Sequence, residues 1–493
     1  MPFSLKTIPM QDIQTIKINL PGGIVSPGRL QEILTIAHNA KVQQVRFGVR
    51  QQLLFTVTGE KLRFLERDFK LHKIRYEINA ERYPNIISSY CAEEVFRTGQ
   101  WLHESEYHTV LDSFDYSPTL KINLSDSNQS FTPFFTGNLN FIASPEPHFW
   151  YLYIRPKQSN TLFRWRDLIY TNDIGRIAHA IEVAMLEGTL SEPELYEKIN
   201  HFETYITQPA TQEVALPDFA LPYYEGFNRY GQRSWLGLYR RNEQFSISFL
   251  LDVCTLCLET RIGELCTTPW RSLIIKGIEE KDRPAWSHVL GRHNINVRHA
   301  ANELAWQTED YHEEGIDLKK YILRYFEKHD TRTFGLCFGV QTRDKSEVFG
   351  SILIRKRPTL KLGRWGILPV YDLYHTENFN PNSRTYFLFE TGMMKDHVPH
   401  QVARLCRKFN ASRHRQPTTP TRIEVFEPSV SALSHERYHC PHCLTVYDET
   451  YGDERASIAP GLPFADLPDT YLCPTCEAPK AEFVVLEIEN LVV

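Results

Sequence analysis

The sequence lacks the long apolar runs of a membrane protein. No segment approaches the roughly eighteen uninterrupted apolar residues that a membrane-spanning helix needs. The first residues, MPFSLKTIPMQDIQ, show no basic stretch followed by an apolar core, so no export signal is predicted. We therefore expect a cytoplasmic protein without a membrane partner.

The chain also lacks the charge and the motifs of several common function classes. Its net charge of -5 argues against nucleic-acid binding, which usually goes with a basic excess. No Gly-x-Gly-x-x-Gly follows a strand-like segment, and no phosphate-binding loop or catalytic triad pattern is present. The 19 histidines are scattered, in stretches such as RHNINVRH, without the spacing of a metal site. Flavin and nicotinamide sites are therefore not predicted.

Cysteine is present in ordinary number, and its arrangement is informative. Four of the ten cysteines form two Cys-x-x-Cys pairs, Cys440 with Cys443 and Cys473 with Cys476. In a reducing compartment such pairs indicate a metal site rather than disulfides. Four thiolates on two facing knuckles supply a tetrahedral set of soft ligands. The spacing alone leaves a zinc ribbon and a mononuclear iron site open.

The residues around these cysteines resemble the rubredoxin family. The Tyr-x-Cys-x-x-Cys opening, VYD, YGD, APGLPFADLPDTYLCPTC and the closing Lys480 and Phe483 follow the family order. The resemblance implies one iron ion that carries one electron between Fe(II) and Fe(III), with zinc as the alternative. The ligands it implies are Cys440, Cys443, Cys473 and Cys476. A domain this small must build its core from the metal and its aromatic rings, which are Tyr438, Tyr447, Phe464, Tyr471 and Phe483.

Two positions depart from the rubredoxin pattern. The family usually has glycine directly after each cysteine pair, where the knuckle turns with a positive φ, but this chain has Leu444 and Glu477. A non-glycine residue in that conformation costs on the order of 1 kcal/mol. It also takes space near the sulfurs, where hydrogen bonding and access tune the potential of an iron centre. We expect the metal site to form, but its reduction potential and its partner surface can differ from those of the usual rubredoxin pattern.

Residues 409–436 are rich in Ser, Thr, Pro and Arg and are predicted to be a linker. After the linker, ten Asp and Glu stand against three Lys and Arg, whereas the preceding residues carry a slight positive excess. The acidic charge is either a solvated surface or a docking surface for a basic redox partner.

The long part before the linker contains a repeat. The stretch INLPGGIVSPGRLQEILTIAHNAKVQQVRFGVRQQLLFTV predicts strand, loop, helix and strand, with the helix starting at Ser26-Pro27. The second of these strands, over residues 45–50, alternates apolar and cationic side chains. Residues 265–275 align on residues 45–55 without a gap. Two such units, each followed by a long further segment, predict a duplicated α+β protein.

The duplicated part resembles the sulfite/nitrite reductase family of sirohaem proteins. LPGGIVSPGRLQEILTIAHNAKVQQVRFGVRQQLLF is similar to its first ferredoxin-like half-domain and ELCTTPWRSLIIKGI to its second, while YPNIISSYCAEE and YSPTLKINLSDS fall in family order between them. The resemblance implies an α+β fold with duplicated ferredoxin-like half-domains, reductase-like α/β subdomains and a small rubredoxin-like domain at the C-terminus. The expected domains are half-domain 1 (1–80), subdomain 1 (81–215), half-domain 2 (216–305), subdomain 2 (306–408), the linker (409–436) and the rubredoxin-like domain (437–493).

The same resemblance marks Arg46, Arg50 and Lys121 as residues that face an anion or sirohaem. Arg46 and Arg50 are four apart on one predicted strand, so both are expected on one face, with Gly48 leaving room for a ligand. Guanidinium groups bind carboxylates bidentately, which suits a polycarboxylate macrocycle or a small oxyanion. The alternative is a solvated face of an edge strand.

Several residues on which the reductase family depends are absent. Thr119 replaces the first lysine of a Lys-x-Lys strand, and Cys266 replaces an arginine, although Arg271 remains nearby. The family holds a four-iron cubane cluster through cysteine pairs with five and three intervening residues, and no such pairs exist here, so no cubane is expected. Cys337 stands alone. The pair in SFLLDVCTLCLE lies on an apolar stretch that indicates buried structure.

Three functions remain open at this point. The first is one-electron transfer by a rubredoxin-type iron domain fused to a degenerate reductase-like module, acting with a redox partner protein. The second is an enzyme, a cubane-less sirohaem-dependent reductase of nitrite or sulfite. The third is a non-catalytic docking module for such a reductase.

Overall fold

The computed structural model describes residues 12–414 and 438–485, except 97–100, 158–160, 189–190, 215, 218–220, 311, 344–347, 358–368, 384, 443–444, 448, 450–451, 454–455, 457, 460 and 475–476. The chain divides into two compact units, Met1–Gln416 and Pro417–Val493. No helix in the described parts is both long and apolar enough to cross a membrane.

Two groups of elements follow each other in the first half of the N-terminal unit. The first group is β1 (Ile13–Asn19), β2 (Ile24–Val25), α1 (Pro27–Asn39), β3 (Gln44–Phe47), β4 (Gln52–Thr58), α2 (Gly59–Leu71) and β5 (Glu77–Ile78). The second group is β6 (Ile87–Ser88), α3 (Glu104–Asp112), β7 (Ile122–Ser125), β8 (Leu139–Ala143), β9 (Phe149–Ile154), β10 (Phe163–Arg164), β11 (Asp167–Tyr170), α4 (Ile174–Glu187), α5 (Glu192–Phe202) and β12 (Thr207–Pro209).

The second half of the N-terminal unit repeats the main elements of this order. Its first group is β13 (Gly226–Tyr230), β14 (Arg233–Leu238), β15 (Phe245–Ser246), α6 (Ile247–Glu259), β16 (Leu265–Thr267), β17 (Leu273–Glu279) and α7 (Arg283–Arg292). Its second group is β18 (Trp306–Thr308), α8 (Glu313–Lys328), β19 (Phe338–Gln341), β20 (Ile352–Arg357), β21 (Val370–Thr376), β22 (Tyr386–Met393) and α9 (Val398–His414). The predicted α+β class is confirmed.

The two small sheets exchange a short strand. One sheet has the order β15-β3-β4-β1-β5 and the other β13-β14-β17-β16-β2. β15 of the second half therefore pairs with β3 of the first, while β2 of the first half pairs with β16 of the second. Helices α1 and α6 pack on each other, and both sheets and both helices share one hydrophobic core.

Helices α1 and α6 begin in the same way. The Oγ atom of Ser26 accepts a hydrogen bond from the N–H of Arg29 (3.2 Å), and that of Ser246 accepts one from Phe249 (3.3 Å). Each cap satisfies an amide that the first turn of a helix leaves unpaired. The serines are 220 positions apart, and so are the last residues of the two helices. The duplication and the helix start at Ser26-Pro27 are confirmed.

The strand predicted over residues 45–50 is shorter than expected. β3 ends at Phe47, because Gly48–Gln51 turn the chain into β4. In this turn the N–H of Gly48 donates to the Gln52 carbonyl and that of Gln51 to the Gly48 carbonyl, both at 2.9 Å. Gln51 has a φ of 55°. Arg50 therefore lies in the turn, and the prediction that it shares a strand face with Arg46 is wrong.

Each half also has a larger mixed sheet. In the first half the order is β12-β11-β9-β8-β7-β6, with β10 beside β9, and in the second it is β18-β19-β20-β21-β22. Both sheets begin with three parallel strands, β6 to β8 and β18 to β20, and continue antiparallel. Parallel neighbours require a crossover connection, and the crossovers after β6 and β18 contain α3 and α8. Helix α3 carries Glu104 and His108, and helix α8 begins with Glu313.

The described residues of the C-terminal unit form a small sheet and two short 3-10 turns. The strands are β23 (Tyr438–His439), β24 (Val446–Tyr447) and β25 (Val484–Val485), in the order β24-β23-β25. The turns lie at Phe464–Asp466 and Lys480–Glu482. Short elements of this kind bury little surface, so the core depends on the rings packed between them.

Candidate metal centre and the Arg46 pocket

Two of the four predicted metal ligands lie on matching loops of the C-terminal unit. Cys440 and Cys473 are both buried. The N–H of Cys440 donates to the Thr445 carbonyl (2.9 Å), and the N–H of Cys473 donates to the Ala478 carbonyl (2.8 Å). In both cases the acceptor lies five residues further along the chain, so the two loops have the same internal hydrogen bond. The other predicted ligands, Cys443 and Cys476, and also Leu444, lie outside the described residues.

Glu477 has the backbone conformation that the sequence indicated. Its φ is 64°, in the left-handed region that favours glycine, and its N–H donates to the Cys473 carbonyl (2.9 Å). The knuckle therefore turns at this residue, although a Cβ atom is present. A side chain in this conformation costs roughly 1–2 kcal/mol.

The predicted aromatic residues form the core beside these loops. The rings of Tyr438 and Phe464 stack with their centroids 4.1 Å apart, and Phe483 packs against Phe464 at 5.3 Å. Tyr447 and Tyr471 close the other side at 5.8 Å. The Tyr471 hydroxyl donates to Asp453 Oδ2 (3.0 Å), and its burial, together with this carboxylate, raises the pKa of the phenol.

The Lys480 ammonium group binds the segment around Phe464, which belongs to this core. Its Nζ atom donates to the carbonyls of Ala465 (2.8 Å) and Leu467 (2.5 Å) and lies 5.7 Å from the ring centroid of Phe464. The sequence had marked Lys480 only through its place in the family pattern. The structure gives it a physical role, as the donor that holds the 3-10 turn at Phe464–Asp466.

The C-terminal unit fits a soft metal ion. Buried cysteine sulfurs on two equivalent loops, surrounded by aromatic rings, are the donors and the environment that iron and zinc thiolate sites use. Both metals accept four thiolates, so the donor chemistry by itself fits either one.

Arg46 and Arg50 make contacts with different parts of the N-terminal unit. The guanidinium of Arg46 pairs with Glu313 at the start of α8. The Arg50 guanidinium donates instead to the carbonyls of Asn85 (2.6 Å) and Ile122 (2.9 Å) and to Asn123 Oδ1 (3.2 Å). Both side chains are therefore held by protein acceptors, and Arg50 joins the small sheet to β7.

Lys121 directly precedes β7 and is half-buried. Asn138 holds its main chain: the Lys121 N–H donates to Asn138 Oδ1 (3.0 Å) and the Asn138 N–H donates to the Lys121 carbonyl (2.6 Å). Arg50 reaches the same strand through Ile122, so the structure brings Arg50 and Lys121 to one region, whereas Arg46 pairs with α8.

A pocket of about 460 Å³ lies beside Arg46. Its charged lining contains four acids and three cations: Glu243, Glu309, Asp310 and Glu313 with Lys41, Arg46 and Arg271. A polycarboxylate macrocycle would meet more acids than cations here, and Arg46 and Arg271 are already paired with protein carboxylates. The residues at this pocket do not fit sirohaem.

A buried ion network that the sequence did not reveal contributes Glu243, Arg271 and Asp310 to the lining of this pocket. Arg271 pairs with Glu243 (2.9 Å) and Asp310 (2.9 Å), and Lys319 pairs with Glu243 (2.8 Å). Burial raises the pKa of the Glu243 carboxyl, but attraction by Arg271 and Lys319 outweighs it and lowers this pKa to about 2. The partners come from distant positions, so no spacing in the sequence could have identified them.

The remaining cysteines are buried, neutral thiols. They are Cys91, Cys254, Cys257, Cys266, Cys337 and Cys406. Burial raises the pKa of Cys254, Cys266, Cys337 and Cys406 to about 12. The predicted structural role of Cys254 and Cys257 agrees with their positions on the buried side of α6. Cys337 contacts the Ser351 hydroxyl at 3.4 Å.

Comparisons with known proteins divide the chain in the same way. The rubredoxin family model matches residues 437–483. "Probable rubredoxin HupI" of Bradyrhizobium diazoefficiens is 53% identical over 51 residues, which is 10% of this chain and 74% of that protein. "Probable rubredoxin" of Methanothermobacter thermautotrophicus is 45% identical over 65 residues, which is 13% of this chain and all of that protein.

The larger part is similar in fold to a solved structure, the NirA protein of Mycobacterium tuberculosis. The similarity has a TM-score of 0.59 at 12% sequence identity and covers 82% of each chain. At this identity the likeness shows the fold alone. It confirms the resemblance of the duplicated part to the sulfite/nitrite reductase family at the level of the fold.

Proposed function

Because the chain belongs to the rubredoxin family through residues 437–483, we propose that it is a one-electron transfer protein with a mononuclear iron site. The proposed ligands are Cys440, Cys443, Cys473 and Cys476. When bound, the iron supplies reversible exchange between Fe(II) and Fe(III).

The equivalence of the two cysteine loops carries this proposal. Cys440 and Cys473 are buried, and each N–H is bonded to a carbonyl five residues further along. The matching hydrogen bonds give the two loops the same backbone turn, and both cysteines belong to the hydrophobic cluster that contains Phe464. A fixed, partly dry site favours electron exchange, because little has to move when the charge changes.

The charge of the C-terminal unit supports a redox partner protein with a basic surface. Asp466, Asp469 and Glu482 are exposed, and the sequence after the linker is strongly acidic. Opposite charges steer two proteins together and raise the association rate, and salt weakens this effect. With a basic c-type cytochrome as acceptor, we expect the electron-transfer rate of the reduced protein to fall as ionic strength rises.

We propose that the duplicated unit is a degenerate reductase-like module that binds a partner or ligand without sirohaem. Its support is the protein acceptors that already hold Arg46 and Arg50. The alternative, a cubane-less reductase of nitrite or sulfite, predicts a tetrapyrrole in the purified protein. Expression with sirohaem supplied in the cell, followed by absorption spectroscopy, separates the two proposals.

Metal analysis and visible spectroscopy of the full-length protein test the iron proposal. We expect one iron per chain and an absorbance that bleaches on reduction by dithionite. The Cys443→Ser variant should lose this absorbance, whereas Cys406→Ala, at a buried thiol of the other unit, should keep it. A colourless protein with one zinc per chain would overturn the electron-transfer proposal.

A further inference from the structure

Three metal-ligating side chains meet in the N-terminal unit, outside the pocket described above. The Nε2 atom of His108 lies 3.3 Å from Glu264 Oε1 and 3.9 Å from Glu104 Oε1. One ligand atom from each residue lies within 4.8 Å of the others. Glu104 and His108 are four apart on α3, so they share a helix face, and Glu264 directly precedes β16. We propose that Glu104, His108 and Glu264 bind a divalent transition-metal ion.

The duplicated fold shows what occupies the equivalent place in the other half. Arg46 on β3 pairs with Glu313, the first residue of α8. Cys266 stands 220 positions after Arg46, on β16, and Glu104 is the first residue of α3. The half that carries Cys266 therefore has a neutral thiol where the other half has a guanidinium. The carboxylate at the start of α3 meets a second carboxylate, Glu264, instead of an arginine.

The charge of this cluster calls for a cation. Within the described residues, the ion pairs of Glu104 and Glu264 are with His108 alone. The nearby Lys276 is engaged elsewhere: its Nζ donates to the carbonyl (3.3 Å) and the carboxylate (3.4 Å) of Glu93. Two carboxylates beside one imidazole repel each other when no cation is present, and a divalent ion would neutralise both.

A second layer of contacts orients one of the ligands. The hydroxyl of Tyr90 donates to Glu264 Oε2, and the Tyr90 ring is buried. This bond leaves the Oε1 atom of Glu264 directed at His108, as outer hydrogen bonds orient carboxylate ligands in metal sites.

The exposure and the donor set indicate the kind of ion. The side chains of Glu104, His108 and Glu264 are 59%, 37% and 30% exposed, so an ion can enter from solvent and keep water ligands. One imidazole nitrogen with two carboxylate oxygens suits Zn²⁺, Mn²⁺ or Fe²⁺. Mg²⁺ and Ca²⁺ prefer oxygen alone.

Calorimetric titration of the iron-loaded full-length protein with Zn²⁺ tests the site. We expect one zinc per chain in addition to the iron, with no loss of the iron absorbance. The His108→Ala variant should bind zinc about 100-fold more weakly, and Tyr90→Phe about 10-fold more weakly, the range seen when ligands lose their supporting hydrogen bonds. Mg²⁺ at the same concentration should produce no binding signal.

The pair formed by His72 and Glu32 provides a matched control. It is another histidine–glutamate pair with nearly the same exposure, 38% and 32%, but no second carboxylate among the described residues joins it. His72→Ala should leave zinc binding unchanged. Equal zinc affinity in His108→Ala and the parent protein would overturn the proposal, as would zinc uptake that bleaches the iron absorbance. Glu104→Gln, at an exposed position, supplies the same comparison if His108→Ala does not fold; unchanged affinity there would also overturn it.

Discussion

Arg46 and Cys266 stand 220 residues apart at equivalent positions of the two halves, and only Arg46 is charged. Arg46 pairs with Glu313 across the interface between β3 and α8. Cys266 is buried, and burial raises the pKa of its thiol to about 12, so it is neutral at physiological pH. The duplication has thus preserved the backbone while the charges that face α3 and α8 have diverged. This difference in charge should be measurable in two ways, as a difference in stability and as a difference in metal binding.

The paired helix caps give the first test of the duplicated backbone. Ser26→Ala and Ser246→Ala each remove one acceptor from the first turn of an equivalent helix. Each substitution should lower the free energy of unfolding by about 1 kcal/mol, the usual cost of a lost serine cap. Urea unfolding followed by circular dichroism measures it. Ser26→Asp keeps an acceptor and should stay near the parent value, and a large loss there would contradict a capping role.

The buried ion network at Glu243 should contribute more to the free energy of unfolding than an exposed ion pair does. Lys319→Met removes one partner of Glu243 and leaves a less compensated buried carboxylate, which typically costs 3–5 kcal/mol. Lys320→Met is the matched control, because Lys320 is partly exposed and its Asp317 partner lies 3.8 Å away. That exposed pair should contribute under about 1 kcal/mol. Urea unfolding of both variants measures the difference, and equal losses would contradict the prediction.

The same network predicts a pH dependence. The pKa of Glu243 is about 2 in the folded protein against an ordinary value of 4.5, so its contribution to stability is fully present above pH 4.5. The contribution is lost as pH falls from 4.5 towards 2, because the unfolded chain then binds the proton more strongly. The Glu243→Gln variant lacks this contribution. Its free energy of unfolding should therefore change less than that of the parent across this range, and parallel curves would contradict the assignment.

The sequence could predict those parts of the structure that depend on a local pattern of residues. Ser26-Pro27 marks a helix start through capping chemistry, and the two Cys-x-x-Cys pairs mark a metal site through ligand spacing. The turn at Gly48–Gln51 was missed because alternation of apolar and cationic residues continues through it, although hydrogen bonds end the strand at Phe47. Arg50 was placed on one strand face with Arg46 for the same reason, whereas it lies in the turn and its guanidinium donates to the carbonyls of Asn85 and Ile122.

Clusters assembled from distant positions left no such pattern. Glu243 and Lys319 meet only after folding, and Glu264 reaches α3 from the other half of the duplication. One part of the cluster did leave a signal, since the four-residue spacing of Glu104 and His108 places both on one helix face. That spacing becomes informative only when the third ligand is known, because exposed Glu–His pairs on helices are common.

Glu477 offers a test of strain beside the proposed iron site. Its φ of 64° suits glycine, so Glu477→Gly should raise the free energy of unfolding of the C-terminal unit by roughly 1 kcal/mol. The measurement is loss of the iron absorbance of the full-length protein during thermal unfolding. Asp466→Gly is the control, because Asp466 lies in a 3-10 turn and its φ is not positive. Glycine there should destabilise the unit, since it only adds freedom to the unfolded chain. A lower midpoint for Glu477→Gly would contradict the strain argument.

Lys480 provides the last test, because its contacts are structural although it belongs to the unit that carries the proposed iron site. Lys480→Met keeps the aliphatic stem over Phe464 but removes the donor to the carbonyls of Ala465 and Leu467. Losing these two hydrogen bonds, one exposed and one part-buried, should cost about 0.5–1.5 kcal/mol. The iron absorbance of the full-length protein should then disappear at a lower urea concentration, with its spectrum before unfolding unchanged. Lys281→Met, at an exposed lysine of the other unit, should leave the midpoint where it is. A shifted spectrum in folded Lys480→Met would mean instead that this lysine acts on the metal centre itself.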